Sequence, residues 1–261
     1  MTRLLSGIVL TAAVLGAIWY APPVVFLLVL GLILVAACIE LVGLLARAGV
    51  VVPLYASTAG ALVACAAVAG DRGQGGLLLV ATVLVLFIVV LATRQPGPDV
   101  PAAAAAAFFP IVYLAVPLAL TAVIRDRWGR EALLLGLLVV WLSDTAQYYV
   151  GSALGKRRLA PAISPKKSVE GAVGGFVAGI AAMILIGRVW LPLVSVPILA
   201  VAGAVLVALG IAGDLFESLL KRSASVKDSS ALIPGHGGVL DRIDAVLFVV
   251  PGYFLVLALL T

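Results

Sequence analysis

The stretch PVVFLLVLGLILVAACIELVGLLA, residues 23–46, carries a single charge, Glu40, in an otherwise unbroken apolar run. It exceeds the ~20 residues an α-helix needs to cross the hydrocarbon core of a bilayer, so it reads as a membrane span. Outward from it, similar runs recur between charged or Pro/Gly breaks. They give nine expected spans, near residues 4–20, 23–46, 50–70, 76–93, 101–124, 131–151, 169–188, 191–217 and 243–260. Of the 261 residues 64% are apolar and 11% charged, with a mean hydropathy of +1.27, which excludes a soluble globular fold. The expected fold class is an all-α polytopic membrane protein with N-terminal helices over 1–130 and a C-terminal region over 131–261 that gathers the chemistry.

Arg3 and the small residues at 13–17 also fit a signal peptide. The turn at Pro22 and Pro23 favours a hairpin of two spans instead. The 191–217 run holds Pro192 and Pro197 near its start, so it is expected to be tilted or broken. Cys38 and Cys65 lie in separate apolar runs, and with one His in the chain there is neither a disulfide framework nor zinc spacing. With the N-terminus cytoplasmic, twelve of the seventeen Lys and Arg fall on that side, and the basic loops 152–168 and 218–242 share it. Arg125, Arg127 and Arg130 run against this orientation, partly offset by Asp126 and Glu131. The net charge of +5 suits an anionic lipid surface and gives no reason to invoke nucleic acid.

Residues 1–130 hold four of the twelve acidic residues, three of them at apparent loop positions. The fourth, Glu40, reads as an interfacial side chain that snorkels or pairs with Arg47. From Asp144 onward the acids lie where a membrane helix needs a partner for them. Asp144 precedes Gly151, and Asp214 precedes Lys221, by seven residues each, which puts both carboxylates about 10 Å below a helix end. Asp241 and Asp244, three apart, project from one helical side. Four such carboxylates repel if bare, and Mg²⁺ held by one or two of them plus substrate phosphates removes the repulsion. Separate Asp–Lys/Arg pairs bracing the helices would use the same residues.

The loop LGKRRLAPAISPKKSVEGAVGG supplies Lys156, Arg157, Arg158, Lys166 and Lys167, then Ser168 as an expected N-cap. Free N–H groups at that helix start favour a phosphate, while the loop alone equally fits a positive-inside anchor. Gly171, Gly174 and Gly175 permit close backbone approach or simple helix packing. The stretch GSALGKR at 151–157 is not a phosphate loop, because its glycine spacing is one residue short and Arg157 stands where Ser or Thr binds the metal.

The run SLLKRSASVKDSSALIPGHGGVLDRID, residues 218–244, resembles the signature of the phosphatidate cytidylyltransferase, or CDP-diacylglycerol synthase, family. Its matching positions are Ser218, Lys221, Arg222, Lys227, Asp228, His236, Gly237, Gly238, Asp241, Arg242 and Asp244. DTAQYYVG (144–151) and ISPKKSVEG (163–171) look like the family's second conserved region, while the N-terminal half resembles it in hydropathy alone. The resemblance implies a nucleotidyltransferase of phospholipid biosynthesis, joining CTP to phosphatidic acid and yielding CDP-diacylglycerol and pyrophosphate. It implies Mg²⁺, with K⁺, at an acidic centre, a homodimer, and a bacterial inner membrane with the site facing the cytoplasm. Carried over residue by residue, Asp144, Asp214, Asp241 and Asp244 would ligate metal. Asp214, Lys227, Asp228, His236, Asp241 and Asp244 would form the catalytic set. Ser164, Lys166, Lys167, Ser168, Glu170, Lys221, Arg222 and Arg242 would bind substrate. Gln147 stands where the family usually has Ala, and Ala245 where Ser is common. A phosphate monoester is largely ionised at neutral pH, with a second pKa near about 6, so His236 is expected to fix its turn or touch phosphate and not to abstract a proton.

Two other readings draw on the same residues. A CTP-dependent lipid kinase of the polyprenol or phytol type would release CDP, and the full HGG-x-x-DR-x-D pattern argues against it. A membrane transporter also places acids within the bilayer, but here they cluster near basic loops and no inverted repeat is apparent.

Overall fold

The structure, a computed structural model, describes residues 2–70, 75–233 and 237–260, with the side chains of residues 2–6, 8 and 10 outside the description. The chain divides into two compact units, Met1–Val123 with Leu220–Arg242, and Ile124–Leu219 with Ile243–Thr261. Most of the signature segment, Leu220–Arg242, thus groups with the N-terminal helices.

The first unit begins with α1 (Thr2–Tyr20), α2 (Pro23–Arg47), α3 (Leu54–Ala69), α4 (Gly75–Thr93) and α5 (Val100–Pro110). Pro23 starts α2 at a position whose N–H needs no helical partner. Pro110 closes α5 into a five-residue π-helical turn, Ile111–Ala115, before α6 (Val116–Trp128) resumes, as expected where a proline removes a ladder donor. Helix α3 buries Ser57, Gly60, Ala61 and Ala64, and Gly60 lies against Thr82 and Leu86 of α4. Small residues on one stripe let these helices approach closely.

The second unit contains α7 (Arg130–Leu154), β1 (Arg158–Ala160), β2 (Ser164–Ser168) and α8 (Val169–Trp190), followed by α9 (Val196–Ser223) and α10 (Leu240–Leu260), whose ends reach into the first unit's residues. The 152–168 segment, read from the sequence as a basic loop, contains an antiparallel hairpin with a register irregularity between Arg158 and Ala160. Gly171 and Gly174 of α8 face Gln147 and Val150 of α7, so these glycines serve helix packing. Gly213 of α9 lies against the main chain of Asp244 and Ala245 in α10.

Seven stretches among the described residues are long and apolar enough to cross a membrane: α2, α4, Val100–Trp128, α7, α8, α9 and α10. The expected spans 4–20 and 50–70 fall on α1, apolar over Thr11–Tyr20, and on α3, whose 16 residues are short of the ~20 a helix needs. The 191–217 run is corrected at both ends. Helix α9 starts only at Val196, with Pro197 in its first turn, and it continues to Ser223, so Lys221 and Arg222 are helical. Cations in a last turn complement the helix dipole.

Candidate active site

In the first unit the signature residues form a ring of hydrogen bonds around two carboxylates. Asp241, in the first turn of α10, accepts Lys221 Nζ on Oδ1 at 2.6 Å. Its Oδ2 accepts Ser229 N at 3.0 Å, Ser229 Oγ at 2.8 Å and Gly238 N at 2.8 Å. The second carboxylate is Glu40. It neither snorkels nor turns to Arg47: buried at 6% exposure, it accepts Ser229 Oγ and Leu240 N on Oε2 at 2.8 Å each. Its Oε1 accepts Ser230 Oγ at 2.7 Å and Val239 N at 2.9 Å. An unpaired charge in an apolar span costs several kcal/mol, and four donors remove the reason for it to reach water. Ser229 bridges the two carboxylates with one hydroxyl proton to give to either. Gly238 has no Cβ, and one there would collide with Ser229 Oγ and the Glu40 carboxylate; Gly237 takes a φ of 80°, which favours glycine.

In the second unit the hairpin delivers a cation to the acids. Lys167 of β2 pairs with Asp214 of α9, Nζ to Oδ2 at 2.6 Å, and Ser218 Oγ donates to Asp214 Oδ1 at 3.3 Å. Asp144 of α7 interacts electrostatically with both Lys167 and Asp214. Gln147, one of the two departures from the family pattern, donates to Asp144 Oδ1 at 3.0 Å and to Ser143 Oγ at 3.2 Å. Ala245, the other, is buried at 4% exposure beside Gly213, a contact that also brings the Asp244 main chain to the residue preceding Asp214. Ser168 is the N-cap of α8, its Oγ accepting Gly171 N at 3.1 Å. Glu170 accepts the Lys156 and Arg157 N–H groups at 3.0 and 3.1 Å, so it ties the loop's start to the helix.

The remaining site residues are less engaged. Lys166, Lys227, Asp228 and Arg242 are exposed and Ser164 is half-buried. Arg222 donates to Val226 O at 3.1 Å, within its own turn. His236 lies outside the described residues.

Among the described residues no three His, Cys, Asp or Glu side chains come close enough together to hold a metal ion. A Mg²⁺ that keeps one or two carboxylates and takes its other ligands from phosphates and water asks for less. Asp214, paired with the ammonium of Lys167, and Asp144, which feels the same ammonium electrostatically, fit that smaller set. Asp241 fits it less well, since three N–H donors and a hydroxyl it shares with Glu40 already meet its two oxygens.

The profile of the cytidylyltransferase family matches residues 1–260. Among curated proteins, the chain is 43% identical over 135 residues to the phosphatidate cytidylyltransferase of Bacillus subtilis, covering 51% of this chain and 50% of that one. It is 33% identical over 216 residues to that of Staphylococcus saprophyticus, covering 80% and 76%. It is 45% identical over 127 residues to that of Haemophilus influenzae, covering 47% and 44%. The chain thus spans about half the length of most of these relatives and three quarters of one.

Proposed function

The chain belongs to the cytidylyltransferase family, and from that premise we propose that it is a phosphatidate cytidylyltransferase, converting CTP and phosphatidic acid into CDP-diacylglycerol and pyrophosphate. One observation carries the reading: the curated relatives that bear this name align with a chain whose signature acids and cations are all present. An ionised phosphatidate oxygen bonds to the α-phosphorus of CTP, and the bond to the bridging oxygen of the β-phosphate breaks, releasing pyrophosphate.

The chain's task is to bind, orient and neutralise, since such transfer rests chiefly on positioning and charge. Within the first unit Arg222, Lys227 and Arg242 offer positive charge to a phosphate; within the second Lys166 does so, and the dipole at the start of α8, capped by Ser168, favours an anion. Lys167 and Lys221 arrive already paired with acids, so each is held in one orientation. Asp144 and Asp214 would hold the Mg²⁺ ion, while Asp241 sets Lys221 in place. When bound, the ion supplies charge to the phosphate oxygens. On the resemblance alone the proposal includes K⁺ and a homodimer, and on the net charge of +5 it includes contact with anionic lipid. Purified protein with CTP and phosphatidate should release pyrophosphate in a Mg²⁺-dependent manner; release of CDP instead would point to a lipid kinase.

The proposal also includes nine crossings with loops 152–168 and 218–242 facing the cytoplasm of a bacterial cell. The Lys/Arg count supports the orientation, and the seven long apolar stretches with the two shorter apolar helices, Thr11–Tyr20 and Leu54–Ala69, are the segments that would make the crossings. Ser152 and Ser225 are exposed and both native cysteines are buried, so Ser152→Cys and Ser225→Cys provide clean probes. Both thiols should react with a membrane-impermeant reagent from the cytoplasmic side only. Labelling from opposite sides would break the topology.

A further inference from the structure

We propose that Glu40 is a positioning residue for this reaction, an inference that rests on the activity proposed above. Glu40 sits in α2, yet its carboxylate binds Ser229, Ser230 and the N–H groups of Val239 and Leu240 where α10 begins, between 189 and 200 residues away along the chain. Helices are usually capped by an acceptor on their own preceding residue. Helix α10 follows Gly238 and Val239, which have no side-chain acceptor, so a second helix supplies it. The absence of a Cβ at Gly238 is what admits the carboxylate.

The consequence reaches Asp241 through Ser229. Glu40 Oε2 and Asp241 Oδ2 both lie 2.8 Å from Ser229 Oγ, and Asp241 in turn holds Lys221 at 2.6 Å. Glu40 therefore fixes where the Asp241 carboxylate and the Lys221 ammonium stand, without touching either. A simple fold brace would be felt in stability. A positioning residue is felt in kcat, through Ser229, in protein that is folded.

The test uses the full chain in detergent with Glu40→Gln, Ser229→Ala and the double variant. Gln keeps the volume of Glu40 but offers one acceptor oxygen to donors that now meet two. Glu40→Gln should lower kcat for pyrophosphate release by at least about tenfold, the range seen when a supporting shell is lost, with CTP KM within about threefold. The double variant should be no slower than about the slower single variant, because both act through one link. Trypsin should cleave Glu40→Gln faster than wild type at the exposed Lys227, since the neighbouring serines lose their anchor. Unchanged kcat, effects that multiply in the double variant, or unchanged cleavage would each overturn the proposal. If wild type releases no pyrophosphate, the activity reading fails, and the cleavage comparison still decides whether Glu40 holds the loop. If Glu40→Gln does not accumulate, Ser230→Ala, which removes one of the four donors, is read in the same way.

Discussion

Asp214→Asn should lower pyrophosphate release from CTP and phosphatidate on the order of 10³-fold, the scale of losing one well-placed electrostatic group, while the protein inserts and extracts as before. The amide has the shape of the carboxylate and can still accept from Ser218 Oγ, so helix α9 has no reason to move. What it lacks is charge. Lys167 Nζ, 2.6 Å from Asp214 Oδ2, would lose its counter-ion, while still interacting electrostatically with Asp144. Lys167 would then turn toward Asp144, and the two-carboxylate set that suits a Mg²⁺ ion would be spent on an internal pair. The loss should fall on kcat, with a smaller change in CTP KM, and excess Mg²⁺ should not restore it. Near-wild-type turnover would remove Asp214, and with it the metal assignment, from the site.

The contrast between Asp214 and Glu40 shows which parts of this protein are legible along the chain. Membrane helices declare themselves because hydropathy is a local property, so the long apolar runs, 191–217 excepted, became helices within a few residues of their expected bounds. Ser168 was equally readable, since a cap and the N–H it serves are three residues apart. Glu40 was not. Its one visible partner within two helical turns was Arg47, whereas its actual partners lie some 190 residues away and are two hydroxyls and two backbone N–H groups. The available signal was indirect: a lone acid in a span with no other charge, and a Ser-Ser and Gly-Gly segment rich in donors elsewhere. The Lys167–Asp214 pair was hidden for the same reason, because a basic loop and an intramembrane acid each have an ordinary local reading. The hairpin that aims Lys167 is short and proline-flanked, so no alternation of apolar residues announced it.

Lys221→Met and the double variant Lys221→Met/Asp241→Asn should part company in stability while sharing a loss of activity. The Lys221 and Asp241 side chains are 12% and 6% exposed and meet at 2.6 Å. Removing the lysine alone strands a buried carboxylate on neutral donors, a change that costs about 3–5 kcal/mol when one partner of a buried pair is lost. Thermal unfolding in detergent should register it as a marked fall in midpoint. In the double variant neither member of the pair is left as an unpaired charge, and the Asn carbonyl can still accept Ser229 N and Gly238 N, the two backbone bonds that shape the start of α10. Its midpoint should return most of the way to wild type. Activity should not follow, because a neutral pair can offer the phosphates neither the fixed ammonium nor the acid that holds it, and pyrophosphate release should stay down by about 10²-fold or more. A buried pair retained only as a brace gives the opposite result, since neutral replacements of such pairs are often tolerated or even stabilising. A double variant that regained turnover together with stability would therefore reduce Lys221 and Asp241 to packing. One that regained stability alone would place their charge in the chemistry.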